Sequence, residues 1–389
     1  MKRNLLIFFV LIISASIMLV IALYVPNSLP AHSDFSALYN TDLALVNGTP
    51  IYDLEAVEAI AVKASGIPAE NFFLARFPYP PWYALSTFYL GLLPAKVAAT
   101  LWFELNLIML FLSVWLLTDG WLGRLRLIAF PLALFFLPVL GALSVGQYDF
   151  PVLLGTSLLI YSLRKKNATL TTLGAVLLTF KPHVGALILF SALIYLIVNG
   201  SNFGQRALQS ILIAGILLFI IGFLADPAWP IAYPKMLLSY QGEGNVSSCS
   251  ECVSLPVWLS RWFFDGSLST ATTIAVVLLV LLTGIFFIRR MALLRSPELL
   301  LTTALSITLL SSPYLYNYDF LLLLVPFAVL MSMESNLFRR MIVILCYLIP
   351  TIAIVLYGRE GNISLLLVNI LIIILLYSKS KVDVPALAS

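Results

Sequence analysis

Long apolar runs separated by short polar segments make up most of the chain. A bilayer core about 30 Å thick needs roughly 20 apolar residues to be spanned by one helix. The pattern therefore predicts an all-α polytopic membrane protein, a single domain over residues 1–389 with about 12 spanning helices. The predicted spans are residues 1–24 and 97–118 and helices near 127–145, 149–163, 168–181, 184–198, 207–225, 268–288, 297–313, 319–333, 340–357 and 362–378.

Basic residues predict how these helices are oriented, because they favour the cytoplasmic side of short loops. Lys2 and Arg3 place the N-terminus inside, and the first apolar run is longer than that of a signal peptide, which indicates an uncleaved helix. Residues 82–94 are expected to form an interfacial or half-inserted helix, since a full crossing there would put later basic clusters outside. The predicted order is an external loop at 25–81, a bundle at 82–378 interrupted by an external loop at 226–261, and a cytoplasmic tail at 379–389.

The first external loop contains the stretch AHSDFSALYNTDLALVNGTPIYD, which predicts two short amphipathic helices. Ser33 or Asp34 can cap the first, and Asp53 can cap the second, which ends at Gly66. Both helices suit the membrane surface better than a transmembrane position. On spacing alone, Asp34 fits a helix cap and a catalytic base equally well.

Composition agrees with a membrane protein and says little about partners. The chain is 61% hydrophobic and 10% charged, with a formal net charge of +4. The basic residues lie in short loops, so no nucleic-acid-binding surface is expected. Cys249 and Cys252 lack a second cysteine pair or a nearby histidine, which favours a loop disulfide or two free thiols over a metal site.

Five polar motifs are predicted to lie on the external face, which suggests a reaction site at one membrane surface. A transporter would instead be expected to have ionisable groups near the midplane and repeated halves. A carrier or flippase of lipid-linked substrates and a non-catalytic scaffold remain the alternatives. The motifs are SDF (33–35), RFPYPPW (76–82), GQYD (146–149), FKPH (180–183) and SSPYLYNYD (311–319).

The side chains in these motifs have both structural and chemical explanations. Lys181 can snorkel to the surface, or it can bind an anion such as phosphate together with His183. Gln147, Asn317 and Asp319 can cap helices or orient substrate hydroxyls.

The assembled pattern resembles the GT-C glycosyltransferases, and most closely glycosyltransferase family 87, the polyprenyl-phosphate-mannose-dependent mannosyltransferases. The resemblance runs in order from residue 34 to about residue 326. It is carried by DFSALYNTDLALVNGTPIYD, FPYPPWYALSTFYLGLLP, VGQYDFPVLLGTSLLIYSLRKKN, GAVLLTFKPHVGALIL and SSPYLYNYDFLLLLVP.

The resemblance implies a multi-pass enzyme of the cell membrane whose active site is external. Its partners would be a polyprenyl-phosphate sugar donor, a lipid or glycan acceptor and the membrane lipids. In such enzymes the acidic residue of the first loop takes the acceptor proton, and here that residue is Asp34. One-step displacement implies inversion at the sugar. The sequence contains no carboxylate cluster of the kind that an Mg²⁺ or Mn²⁺ site needs, so no metal or other cofactor is expected. The resemblance makes Lys181, then Arg76 and His183, ligands of the donor phosphate, and Gln147, Tyr79, Tyr316, Asn317, Tyr318 and Asp319 residues that orient the substrates.

The late motif departs from the family pattern. Relatives carry a tryptophan and then one or two histidines after the Ser-Pro pair, and a histidine there supports catalysis. Here Tyr316 stands in place of the tryptophan, and Tyr318 and Asp319 in place of the histidines. Either Tyr318 or His183 takes the histidine's role, or the donor or acceptor differs.

Overall fold

The computed structural model describes residues 21–31, 33–68, 71–121, 123–243, 252–263, 277–278, 280–285, 296–312 and 314–382. These residues are mostly helical, and an isolated bridge between Cys252 and Tyr316 is the only β pairing among them. The helices are α1 (Ser33–Val46), α2 (Leu54–Ser65), α3 (Pro81–Thr87), α4 (Ala95–Leu117), α5 (Gly123–Phe135), α6 (Leu137–Val145), α7 (Asp149–Lys165), α8 (Ala168–Leu178), α9 (Pro182–Asn199), α10 (Asn202–Ile221), α11 (Trp229–Glu243), α12 (Leu255–Phe263), α13 (Pro297–Ser311), α14 (Leu324–Met333), α15 (Leu337–Tyr357) and α16 (Ile363–Val382).

Four helical segments of the described chain are long and apolar enough to cross a membrane, so this is an integral membrane protein. They are Ala95–Leu117, Pro182–Asn199, Asn202–Leu224 and Leu337–Lys379. The pair α5 and α6 makes a fifth if its 62° bend lies within one span. The predicted number of about 12 is therefore not found in the described residues. Several apolar runs form shorter helices, and the predicted spans 1–24 and 268–288 lie largely outside the described residues.

Residues 80–118 form one short helical segment and one long helix. Helix α3 continues as a 3₁₀ segment at Phe88–Leu92, and Pro94 precedes the 23-residue α4. Pro94 is the N-cap residue of α4, where its missing N–H leaves no backbone donor unpaired. The division at Pro94 and the single long helix agree with the prediction, whereas the side of the membrane on which each end lies stays a prediction.

The two loop helices begin and end close to the predicted residues. Asp53 caps α2, accepting a hydrogen bond from the Ala56 N–H at 3.2 Å, and Gly66 ends it with φ +69°. Helix α1 differs from the prediction because it is packed inside the protein instead of lying on a surface. Its Asp42 is fully buried, and a Cβ on Gly91 would lie 2.4 Å from the Asp42 carbonyl oxygen.

Close contacts of glycines bring together the helices that carry the remaining polar motifs. An added Cβ on Gly155 of α7 would meet the Gly174 carbonyl oxygen of α8 at 2.9 Å, and one on Gly174 would meet Gly155 at 2.8 Å. After α8, Gly185 of α9 packs against the Leu178 carbonyl oxygen, where a Cβ would lie at 2.0 Å. This tight turn fixes residues 179–181 between the two helices.

The second predicted loop contacts the late motif. The Val253 N–H donates to the Leu315 carbonyl oxygen at 2.8 Å, so the segment before α12 runs beside SSPYLYNYD. The two alternatives for Cys249 and Cys252, a loop disulfide or two free thiols, involve Cys249, which lies outside the described residues, and Cys346 is a buried free thiol.

Candidate active site

Lys181 of FKPH is buried and forms ion pairs with one aspartate of GQYD and one of SSPYLYNYD. The Lys181 Nζ lies 2.7 Å from Asp149 Oδ1 and 2.5 Å from Asp319 Oδ1. The three side chains are at most 3% exposed. Because an unpaired charge is costly away from water, these contacts compensate Lys181. We call the three residues the Lys181 triad.

Local backbone geometry positions each member of the triad. Lys181 precedes Pro182 at the start of α9, and Asp149 is the first residue of α7. Asp319 lies in the 3₁₀ segment Asn317–Leu323, where its Oδ2 accepts a hydrogen bond from the Tyr316 N–H at 2.6 Å. The three groups therefore come from three helix beginnings that meet at one end of the bundle.

Asp34 lies beside this triad, in the first turn of α1, and its side chain is partly buried. The Tyr148 hydroxyl donates a hydrogen bond to the Asp34 backbone oxygen, and the Tyr318 side chain hydrogen-bonds its carboxylate. Burial raises the pKa of the Asp34 carboxyl from 3.8 to about 6. The positive charge of Lys181 and the Tyr318 hydrogen bond oppose this rise, and the negative charge of Asp319 adds to it.

Gly146 allows the GQYD segment to pack closely against α1. It ends α6 with φ +69°, a conformation that glycine adopts without strain. Its carbonyl oxygen accepts from Trp102 Nε1 at 2.8 Å, and an added Cβ would lie 2.8 Å from the Phe35 Cβ. The turn therefore directs Tyr148 and Asp149 toward the start of α1.

Aromatic rings enclose one side of the site. Tyr79 and Tyr148 pack edge to face at 4.7 Å between ring centroids, and Tyr83 stacks on Phe180 at 4.5 Å. Phe77 contacts three of these rings. Such a wall excludes water and strengthens electrostatic interactions beside it. The sequence singled out Tyr79 alone, although Phe77, Tyr148 and Phe180 all lie in the quoted motifs.

Several predicted substrate-orienting residues make contacts within the protein. Gln147 is buried, and its Oε1 accepts from the Tyr148 N–H at 2.7 Å. Asn317 Nδ2 donates to Asn362 Oδ1 at 3.3 Å. The Tyr316 ring stacks on Tyr318 at 5.1 Å. In this structure these side chains are held by contacts within the protein.

The three predicted phosphate ligands differ in their surroundings. Lys181 is buried between two carboxylates, which neutralise the charge that a phosphate would need. His183 has an exposed side chain in the first turn of α9, and Arg76 is partly buried directly before Phe77. Asp149, at the start of the predicted helix 149–163, is not among the predicted site residues. Its ion pair with Lys181 is indicated in the sequence only by the presence of a carboxylate in GQYD and a lysine in FKPH, both in strongly apolar surroundings.

Comparison with known families gives one result. A family model described as Glycosyltransferase family 87 matches residues 77–313, more than half of the chain. The matched segment includes Asp149 and Lys181, begins after Asp34 and ends before Asp319. Comparisons with curated proteins and with solved structures give no match.

Proposed function

The chain belongs to glycosyltransferase family 87 and is a membrane glycosyltransferase, and we propose that its donor is polyprenyl-phosphate-mannose. The sugar is transferred to a hydroxyl of a lipid or glycan acceptor on the external face of the cell membrane, with inversion. Asp34 is the general base. No metal or other cofactor takes part, an expectation that transfer in the presence of EDTA tests directly.

The observation that carries this proposal is the environment of Asp34. Partial burial raises its pKa to about 6, so the carboxylate is ionised at neutral pH and is a better proton acceptor than an exposed aspartate. A catalytic base is most effective when its pKa lies near the working pH. The hydrogen bond of the Tyr318 side chain favours the ionised form of this carboxylate.

The reaction is a single displacement at the anomeric carbon. The acceptor oxygen forms the new bond as the bond between that carbon and the phosphate oxygen breaks. The acceptor proton passes to Asp34, and the polyprenyl phosphate leaves with the bonding electron pair. Attack opposite the leaving group inverts the configuration of the sugar.

Arg76 and His183 are the groups that we propose for the donor phosphate. The leaving phosphate gains negative charge in the transition state, and cationic or hydrogen-bonding groups beside it lower the barrier. Lys181, the first choice from the sequence, is instead engaged by Asp149 and Asp319. Among the predicted orienting residues, Tyr318 occupies the place of the family's histidine and contacts the base directly.

The donor and stereochemistry can be tested with purified protein in lipid vesicles. We expect label to pass from polyprenyl-phosphate-[¹⁴C]mannose to a lipid or glycan acceptor fraction, with less transfer from the glucose analogue. NMR of the product should show the anomeric configuration opposite to that of the donor. Retention of configuration would contradict the single displacement, and preferred use of the glucose donor would contradict the assignment of mannose. Movement of the intact donor across the vesicle membrane without transfer would favour a flippase.

A further inference from the structure

Each of the two aspartates of the Lys181 triad directly follows a tyrosine that hydrogen-bonds Asp34. Asp149 directly follows Tyr148, whose hydroxyl donates to the Asp34 backbone oxygen. Asp319 directly follows Tyr318, which hydrogen-bonds the Asp34 carboxylate. Lys181 binds both aspartates at 2.7 and 2.5 Å. We propose that the Lys181 triad is a positioning device for the general base, holding Tyr148 and Tyr318 against Asp34.

The two aspartates do not contribute equally to this arrangement. Asp319 uses both oxygens, accepting from Lys181 with Oδ1 and from the Tyr316 N–H with Oδ2. Asp149 accepts from Lys181 with Oδ1, and its side chain also hydrogen-bonds that of Asp319. Asp319 is thus the member that joins the lysine to the backbone beside Tyr318.

The triad also acts on Asp34 through charge. Lys181 favours the ionised carboxylate and Asp319 disfavours it, and the charge of Asp319 acts more strongly than the Tyr318 hydrogen bond. Tyr79 and Tyr148 also face Asp34, but tyrosines titrate far above pH 6. The remaining acidic and basic groups on α1 and on the long helices packed against it are Asp42, Glu55, Glu58, Lys63, Lys96 and Glu104.

Two isosteric substitutions separate positioning from simple structural support. Lys181→Met leaves two buried carboxylates without a cation and is a poor probe, because loss of the fold would mask its effect. Asp319→Asn and Asp149→Asn each leave Lys181 paired with one carboxylate. An asparagine at 149 can still accept from Lys181 with its oxygen. In Asp319 the two contacts use different oxygens, and an asparagine at 319 keeps an acceptor at only one of these two positions, so it cannot keep both contacts in place.

The inference rests on the proposed role of Asp34, so the experiment has two readouts. The first is the pH dependence of kcat/KM for sugar transfer by the wild type and both variants, after their thermal unfolding in detergent has been compared. We expect Asp319→Asn to lower kcat about 10-fold or more and to move the acidic limb to lower pH. Asp149→Asn should keep the limb of the wild type. Unmoved limbs in both variants, or equal shifts in both, would overturn the inference.

The second readout does not require turnover. Infrared difference spectra between the wild type and Asp34→Asn, recorded over pH, report the titration of the Asp34 carboxyl. We expect this titration to move down in the Asp319→Asn background and to stay in place in the Asp149→Asn background. If the wild type transfers no sugar, the proposed function fails, and the infrared titration still decides whether the triad controls Asp34. An unchanged infrared titration in Asp319→Asn would overturn the inference even in an active enzyme.

Discussion

At the scale of single residues, burial separates three aspartates that look equivalent in the sequence. Asp53 is exposed and caps α2, whereas Asp42 is fully buried inside α1 and accepts from the Thr87 hydroxyl at 3.2 Å. Burial raises the pKa of both Asp34 and Asp42. Asp34 alone combines a raised pKa with partial exposure, which a base that must reach a substrate requires.

The hydroxyl of Tyr318 should set part of the pH dependence of the enzyme. Its hydrogen bond favours the ionised form of Asp34 and so lowers the pKa of that carboxyl. Tyr318→Phe should therefore raise the pKa, move the acidic limb of kcat/KM above pH 6 and lower the rate at pH 6 several-fold. Tyr316→Phe is the matched control, because the Tyr316 hydroxyl faces that of Tyr314 at 3.3 Å. A limb that moves equally in both variants would contradict the assignment.

At the scale of helices, glycine turns decide where the motifs meet. Gly146 and Gly48 have nearly the same backbone conformation, with φ +69° and +71°. They differ in their surroundings, because a Cβ on Gly146 would meet Phe35 at 2.8 Å and one on Gly48 would meet nothing within 4 Å. At both positions a residue other than glycine would be strained by the positive φ, whereas only Gly146 also packs closely against α1.

This difference predicts unequal effects of the same substitution. Gly48→Ala should cost about 1 kcal/mol of stability, from the positive φ alone. Gly146→Ala should cost more and should lower kcat about 10-fold, since Phe35 and Asp34 must shift together with the start of α1. Unfolding in detergent and steady-state transfer rates measure the two effects. Equal activity of the two variants would show that the Gly146 contact does not position the base.

At the scale of the whole molecule, hydropathy predicted the class of the protein better than the number of its spans. Helix α13 is apolar, but nearly all of its residues are buried against protein, whereas only 11% of the most apolar stretch of Asn202–Leu224 is buried. Hydropathy cannot separate a core helix from a lipid-facing one, because both are apolar. The ion pairs of Lys181 were not predictable either, since its partners lie 32 and 138 residues away in the chain.

Labelling of the first loop and a reporter at the C-terminus test the predicted topology. With the N-terminus inside, we expect α2 to be external and the C-terminus to be cytoplasmic. In a variant without native cysteines, Ala59→Cys lies at an exposed position of α2 and should react with an impermeant maleimide added outside. A reporter fused after residue 389 should be active only in the cytoplasm. An external reporter would mean that the number of crossings is odd and that residues 82–94 or another segment must be reassigned.

The proposed role of Asp34 as the group that takes the acceptor proton is tested by the transfer rate of Asp34→Asn against pH. Asparagine keeps the shape of the side chain but cannot accept the proton. The wild-type rate should rise with pH through about 6 and then level off, because the carboxylate must be ionised to act. Asp34→Asn should be about 10²–10⁴-fold slower, without that rise, while Asp53→Asn on the same loop keeps the wild-type profile. An Asp34→Asn enzyme with the wild-type rate and the same acidic limb would exclude Asp34 as the general base.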